Sequence, residues 1–182
     1  MTETIAIVFS LISTYQAYKK SIWNWVTGII GIIAYFIIFK QDKNWANMLL
    51  QVVFIIQYVY GWCVWCGKEG TEVSLSSSLV IIKQVVAILL LCVLCYFINT
   101  LFNGSLSVLD ATTTALSLVA MVLLAHKKIE NWVYFIIADI LYVLLFISSN
   151  HIGSCLLYAA FGILSIMALF KWGREIKKKE NV

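Results

Sequence analysis

Residues 21–39 read SIWNWVTGIIGIIAYFIIF, and residues 129–146 read IENWVYFIIADILYVLLF. Each stretch enters on an Asn-Trp pair just after a basic knot. Each then continues as hydrocarbon for about 18 residues, the length that a bilayer core about 30 Å thick asks of a helix. Only the second carries an acid, Asp139, in its middle.

The same texture fills the rest of the chain. Of 182 residues, 62% are hydrophobic, 12% are charged and none is proline, with a mean hydropathy of +0.93. That is about half the charge of a soluble domain, and a water-soluble fold of this length could not bury so much apolar surface. Backbone groups in lipid must satisfy one another, so the apolar runs are helices, and the alternating pattern of a membrane barrel is absent. Marking the polar knots predicts seven spans, roughly 3–18, 22–39, 45–66, 75–98, 107–125, 130–147 and 153–172. The first lacks a basic start and a small-residue cleavage site and is read as a span, not a removable signal.

Lysine and arginine set the orientation. Lys19, Lys20, Lys68, Lys83, Lys127, Lys128, Lys171, Arg174 and Lys177 to Lys179 fall on one face, eleven of the thirteen basic residues. The other face has only Lys40 and Lys43. The C-terminus is therefore expected in the cytoplasm and the N-terminus outside. The net charge of +4 follows from this topology and calls for no nucleic-acid partner; the basic tail, residues 174–182, is expected to be a cytoplasmic anchor.

Sliding the chain against itself by 107 residues aligns 24–65 with 131–172 without a gap, 13 of the 42 positions being identical. Asn24/Asn131, Trp25/Trp132, Tyr35/Tyr142, Phe39/Phe146 and Trp65/Trp172 are among them, and a Lys-Lys pair precedes both Asn-Trp pairs. The reading is an internal duplication: repeat one over 1–67, a linker helix over 75–99 and repeat two over 105–173. Four spans separate equivalent helices, so the repeats point the same way across the membrane. The expected fold is an all-α integral membrane protein of seven transmembrane helices, a SWEET-like 3+1+3 arrangement of two parallel three-helix repeats, within a single transporter domain.

Helical periodicity collects the polar residues into stripes. Span 2 aligns Asn24, Gly28, Gly31 and Tyr35. Span 6 aligns Asn131, Phe135, Ala138 and Tyr142, with Asp139 beside them. Span 3 contributes Asn47, Gln51, Phe54, Tyr58 and Trp62, span 7 contributes Ser154, Tyr158, Phe161 and Ser165, and span 5 begins Thr112, Thr113, Thr114. Each has a plain structural alternative. The glycines allow close helix packing, the hydroxyls bond their own helices, the end tryptophans anchor at the interface, and Gln51 and Gln57 bond between helices. Asp139 is the sharpest observation, because an intramembrane carboxylate is costly and normally faces a cavity or a partner. Together the stripes describe a pocket for a small, flat, polar and cationic molecule, held by aromatic rings and amides. There is no P-loop and no row of acids for proton relay, so facilitated diffusion without cofactor or metal is the simplest mechanism.

Two enzyme readings compete. The pairs Cys63–Cys66 and Cys92–Cys95 have C-x-x-C spacing and raise a membrane thiol oxidoreductase. Both pairs lie inside helices, and the first is placed at the reducing face. A hydrolase centre fails because His126 and His151 fall on opposite faces.

The stretches NWANMLLQVVFIIQYVYGW (44–62) and TTALSLVAMVLLAHKKIENW (113–132) resemble the Pnu family of vitamin transporters. So do IWNWVTGIIG and LLYAAFGILSIMALFKW, so that the resemblance covers nearly the whole chain. Leu49-Leu50-Gln51, Tyr60-Gly61-Trp62 and Lys127-x-x-Glu130-Asn131-Trp132 are its most specific pieces. The resemblance implies uptake of nicotinamide riboside, a homotrimer in the bacterial inner membrane, and trapping of the substrate by a cytoplasmic kinase. It implies pocket roles for Gln51, Asn131, Trp132, Tyr158 and Thr113, with Asn24 and Trp25 as their repeat counterparts. Gln57, Tyr58 and Asp139 depart from the family's usual pattern, which leaves thiamine open as the alternative substrate.

Overall fold

The computed structural model describes residues 2–67, 72–101, 108–148 and 152–180. Lys68 and His151, used above to orient the chain and to weigh a hydrolase, lie outside them. Seven helices account for nearly all of these residues: α1 (Thr2–Tyr18), α2 (Trp23–Gln41), α3 (Trp45–Gly67), α4 (Ser78–Leu101), α5 (Val108–Ala125), α6 (Glu130–Ser148) and α7 (Ile152–Glu180). Six are long and apolar enough to cross a membrane, and α1, at 17 residues, is the shortest. Their outward faces carry rows of exposed Ile, Leu, Val and Phe, the surface that hydrocarbon solvates.

Neighbours run α1–α2–α3–α5–α6–α7 and back to α1, a closed ring of six, and α4 packs outside it on α5. The ring has an approximate twofold. α1, α2 and α3 are matched by α5, α6 and α7, and the two junctions between repeats, α3 with α5 and α7 with α1, are equivalent contacts.

The correspondence survives at atomic scale and reaches further back than residue 24. Trp25 and Trp65 meet edge-on with ring centroids 5.3 Å apart and planes at 89°, and Trp132 and Trp172 do so at 5.3 Å and 88°. Lys20 and Lys127, 107 residues apart, both take a left-handed backbone, φ 59° and 51°, where the first helix of each repeat turns into the second. After each turn an Asn pins the chain. Asn24 Nδ2 donates to Ser21 O, and Asn131 Nδ2 donates to Lys128 O.

Two predicted boundaries move. Span 7 was expected to end at 172 with a separate tail, yet α7 continues to Glu180. Glu, Ile and Lys beyond Gly173 are good helix formers, and the extension is held by ion pairs of Glu175 with Lys20 and of Lys179 with Glu72. Span 4 was expected from 75, but α4 starts at Ser78. Ser74 is committed instead to a one-residue bridge with Lys128, and Ser76 to the Glu130 carboxylate.

Candidate functional site

Inside the ring lies a cavity of about 860 Å³, within the range of small-molecule sites. Its lining follows the twofold. Glu3 is matched by Asp110, Ser10 by Ser117, Tyr35 by Tyr142, Phe39 by Phe146, Leu50 by Leu157 and Phe54 by Phe161. At one end the lining reaches the exposed residues Glu3, Asn44 and Gly153, which form a mouth. At the other end it stops against a dry cluster of Ala17, Trp25, Trp65, Leu124, Trp132 and Trp172.

That closed end is cross-braced. Trp65 Nε1 donates to Ala125 O at 2.9 Å, and Trp172 Nε1 donates to Tyr18 O at 3.3 Å. Both acceptors are carbonyls at helix C-termini, which have no partner within their own helix. The last helix of each repeat therefore caps the first helix of the other. Lys127 lies over the Trp65 ring, 4.8 Å from its centroid, and burial, helped by the charge of Lys20, holds its ammonium below the ordinary lysine range.

Of the residues expected to form the pocket, Asn24, Gln51, Tyr58, Trp132, Asp139 and Tyr158 line the cavity, and Asn131, Trp25, Thr113 and Gln57 are not in its lining. The second group has structural contacts, although Trp25 Nε1, Gln57 Oε1 and Asn131 Oδ1 are buried without a hydrogen-bond partner among the described residues. Thr113 Oγ1 donates to Asp110 O on its own helix, Gln57 Nε2 bonds Leu118 O on α5 at 2.9 Å, and Trp25 stands edge-on to Tyr58. Asn131, fully buried, spends its amide on the turn before α6.

Within the lining, Gln51 is 8% exposed and has no hydrogen bond to another described residue. A buried amide without a partner is costly, and its open side is the cavity. Trp132 is 1% exposed, and its indole N–H likewise finds no acceptor. Opposite Gln51 under the twofold stands Tyr158, its ring near-parallel to those of Tyr142 (centroids 4.3 Å, 26°) and Phe146 (5.5 Å, 15°), which lie 6.1 Å from each other. Asp139 receives one long hydrogen bond, 3.4 Å, from Ser165 Oγ.

The family model described as nicotinamide mononucleotide transporter matches residues 1–174. The chain belongs to that family. It is 24% identical over 207 residues to the nicotinamide riboside transporter PnuC of Escherichia coli (strain K12), spanning 97% of this chain and 87% of that protein, and matches the transporter of the same name from Shigella flexneri equally. The crystal structure of the vitamin B3 transporter PnuC shares the fold, with a TM-score of 0.82 over 97% of this chain and 82% of that one, at 19% identity. Membership makes this a multi-pass membrane transporter, not an enzyme. The C-x-x-C pairs accordingly have no redox step to serve, and all five cysteines are free.

The periodic stripes missed the contribution of α1. Glu3, Ser10, Ser13 and Thr14 line the cavity, and the signal was present in the 107-residue offset, which pairs Glu3 with Asp110 and Ser10 with Ser117.

Proposed function

We propose that this protein takes up nicotinamide riboside across the cytoplasmic membrane by facilitated diffusion, a step in salvage of a pyridine-nucleotide precursor. The observation that carries the reading is the Gln51 amide, which has no hydrogen bond to another described residue, inside an aromatic-walled cavity in a chain of this family. A pyridinium ring can stack on Tyr158 and its neighbours, the carboxamide can pair with Gln51, and ribose hydroxyls can meet Asn24 and Tyr58. Asn131, Trp25, Thr113 and Gln57 support these side chains from behind. Phosphorylation by a cytoplasmic kinase traps the substrate, and the protein works as a homotrimer with one path per protomer. The membrane is the bacterial inner membrane, with the N-terminus outside.

The second reading is thiamine, favoured by one feature, the carboxylate of Asp139 in the wall. Calorimetry of the purified protein with both vitamins separates the two. Binding of the riboside with thiamine inert supports the first, and the reverse result replaces it. Proteoliposomes clamped at zero membrane potential should then equilibrate the bound vitamin without concentrating it, with or without an ion gradient; accumulation above the external concentration under that clamp would overturn facilitated diffusion.

A further inference from the structure

The cavity is symmetric in shape and asymmetric in chemistry. Ile32 on α2 corresponds to Asp139 on α6, Gln51 on α3 to Tyr158 on α7, and Tyr58 to Ser165, and all six line the cavity. At these three positions repeat one presents Ile32, the Gln51 amide and the Tyr58 phenol, and repeat two presents the Asp139 carboxylate, the Tyr158 ring and the Ser165 hydroxyl. The described lining holds three acids, Glu3, Asp110 and Asp139, and no Lys, Arg or His. The first two sit on the opening turns of α1 and α5, towards the mouth; Asp139 sits mid-helix and is 7% exposed.

Asp139 is short of partners. Its one recorded hydrogen bond is the 3.4 Å contact with Ser165, and no described ion pair includes it. A buried carboxylate left uncompensated is strongly destabilising. The space it faces is the cavity, beside Tyr142 and Tyr158, whose ring faces attract cations. Carboxylate and rings thus converge on one wall, and the neutral amide of Gln51 stands on the wall across the twofold.

We propose that Asp139 is the charge-selecting residue of this transporter. It pairs with the positive ring of a flat cationic vitamin and orients it, ring against repeat two and uncharged polar end towards Gln51. The inference rests on the vitamin-carrier reading and adds to it a preference for a cation over a neutral molecule of the same shape. The preference comes from the difference between a carboxylate that gains a counter-charge and one that a neutral ligand leaves buried and unpaired.

The test measures binding to the purified full chain of two matched pairs. Nicotinamide riboside is compared with its reduced dihydro form, which lacks the charge, and thiamine with its neutral 3-deaza analogue. Wild type should favour the cation of whichever pair binds by at least about tenfold, the scale of a buried charge pair. In D139N that preference should collapse, through weaker binding of the cation and equal or tighter binding of the neutral analogue. An unchanged preference in D139N, alongside intact cation binding, would overturn the role of Asp139 and leave the vitamin reading standing. Equal binding of cation and neutral analogue by wild type would overturn it without any variant, which guards against a substitution that fails to fold. Binding of none of the four would overturn the vitamin reading and the inference with it.

Discussion

Gln51 and Gln57 stand on the same helix and meet different fates, and the helix repeat explains why. At about 100° per residue, seven positions return nearly to the same face and six fall about 120° short. Gln51 and Tyr58 therefore share the cavity wall, whereas Gln57 turns towards α5 and bonds Leu118 O. The separation was legible in the spacing once a single stripe was taken as the wall. It was obscured because both amides looked equally anomalous in lipid. Gln57→Ala should remove a second hydrogen bond from the Leu118 carbonyl, which keeps its partner within α5, and cost about 0.5–1.5 kcal/mol of stability, with vitamin affinity retained. Gln51→Ala should do the opposite, lowering affinity about tenfold or more at a cost of one ligand hydrogen bond and leaving the unfolding temperature nearly unchanged. Thermal unfolding and calorimetry on both variants check the pair, and equal losses of affinity would show that Gln57 also reaches the ligand. Thr113 and Thr114 repeat the lesson. Neighbours in sequence, they differ by about 100° of helix, and only Thr114 lines the cavity.

Between helices, fit depends on absent side chains as much as on present ones. A Cβ on Gly61 would collide with the six-membered ring of Trp25, and one on Gly28 would collide with the ring of Tyr58. The two glycines lie on opposite partners of the α2–α3 pair, so each aromatic ring lies over a glycine of its neighbour. The sequence reading of Gly28 and Gly31 as close-packing residues stands: a ring, that of Tyr58, approaches Gly28, whereas Ser10 and the α1 backbone approach Gly31. Gly61→Ala should lower stability by about 1–3 kcal/mol, the usual cost of overpacking, seen as a drop in unfolding temperature in detergent. The cross-braces make a sharper expectation because they come as a pair. Trp65→Phe and Trp172→Phe each keep an aromatic ring and remove the indole N–H, which leaves Ala125 O without its tryptophan donor and Tyr18 O with only the 3.5 Å bond from Lys171 Nζ. Trp65→Phe should cost about 1–3 kcal/mol, and Trp172→Phe less, since its indole bond is longer and Lys171 Nζ still reaches the Tyr18 carbonyl. A larger loss from Trp172→Phe than from Trp65→Phe would mean that the closed end depends more on the α7–α1 brace. No sequence pattern could have announced these bonds, because each joins residues 60 or 154 positions apart. The extension of α7 was missed for a related reason. Its polar residues do not look membranous, and what keeps it helical is pairing with Lys20 and Glu72 in other segments.

For the whole molecule, hydropathy and the 107-residue offset carried the architecture, because a bilayer constrains helix length and a duplication leaves its spacing behind. Neither dictates which end faces the cytoplasm, for which the distribution of lysine and arginine is the physical argument. The ring adds a second asymmetry in the same direction. Its mouth carries the acids Glu3 and Asp110, and its closed end is flanked by Lys20, Lys127, Lys128 and Lys171. A cation approaching the mouth would meet this acidic rim first. Native cysteines test the sidedness. Cys63 and Cys66 are exposed near the end of α3 that meets the tryptophan cluster, and Asn44 is exposed at the mouth. In a variant keeping only Cys63 and Cys66, a membrane-impermeant maleimide should label intact cells poorly and permeabilised cells well. In a variant whose sole thiol is Asn44→Cys, labelling should be complete from outside. The reversed pattern would place the mouth in the cytoplasm, turn the basic end outward against the charge rule, and make the acidic rim a collector for export.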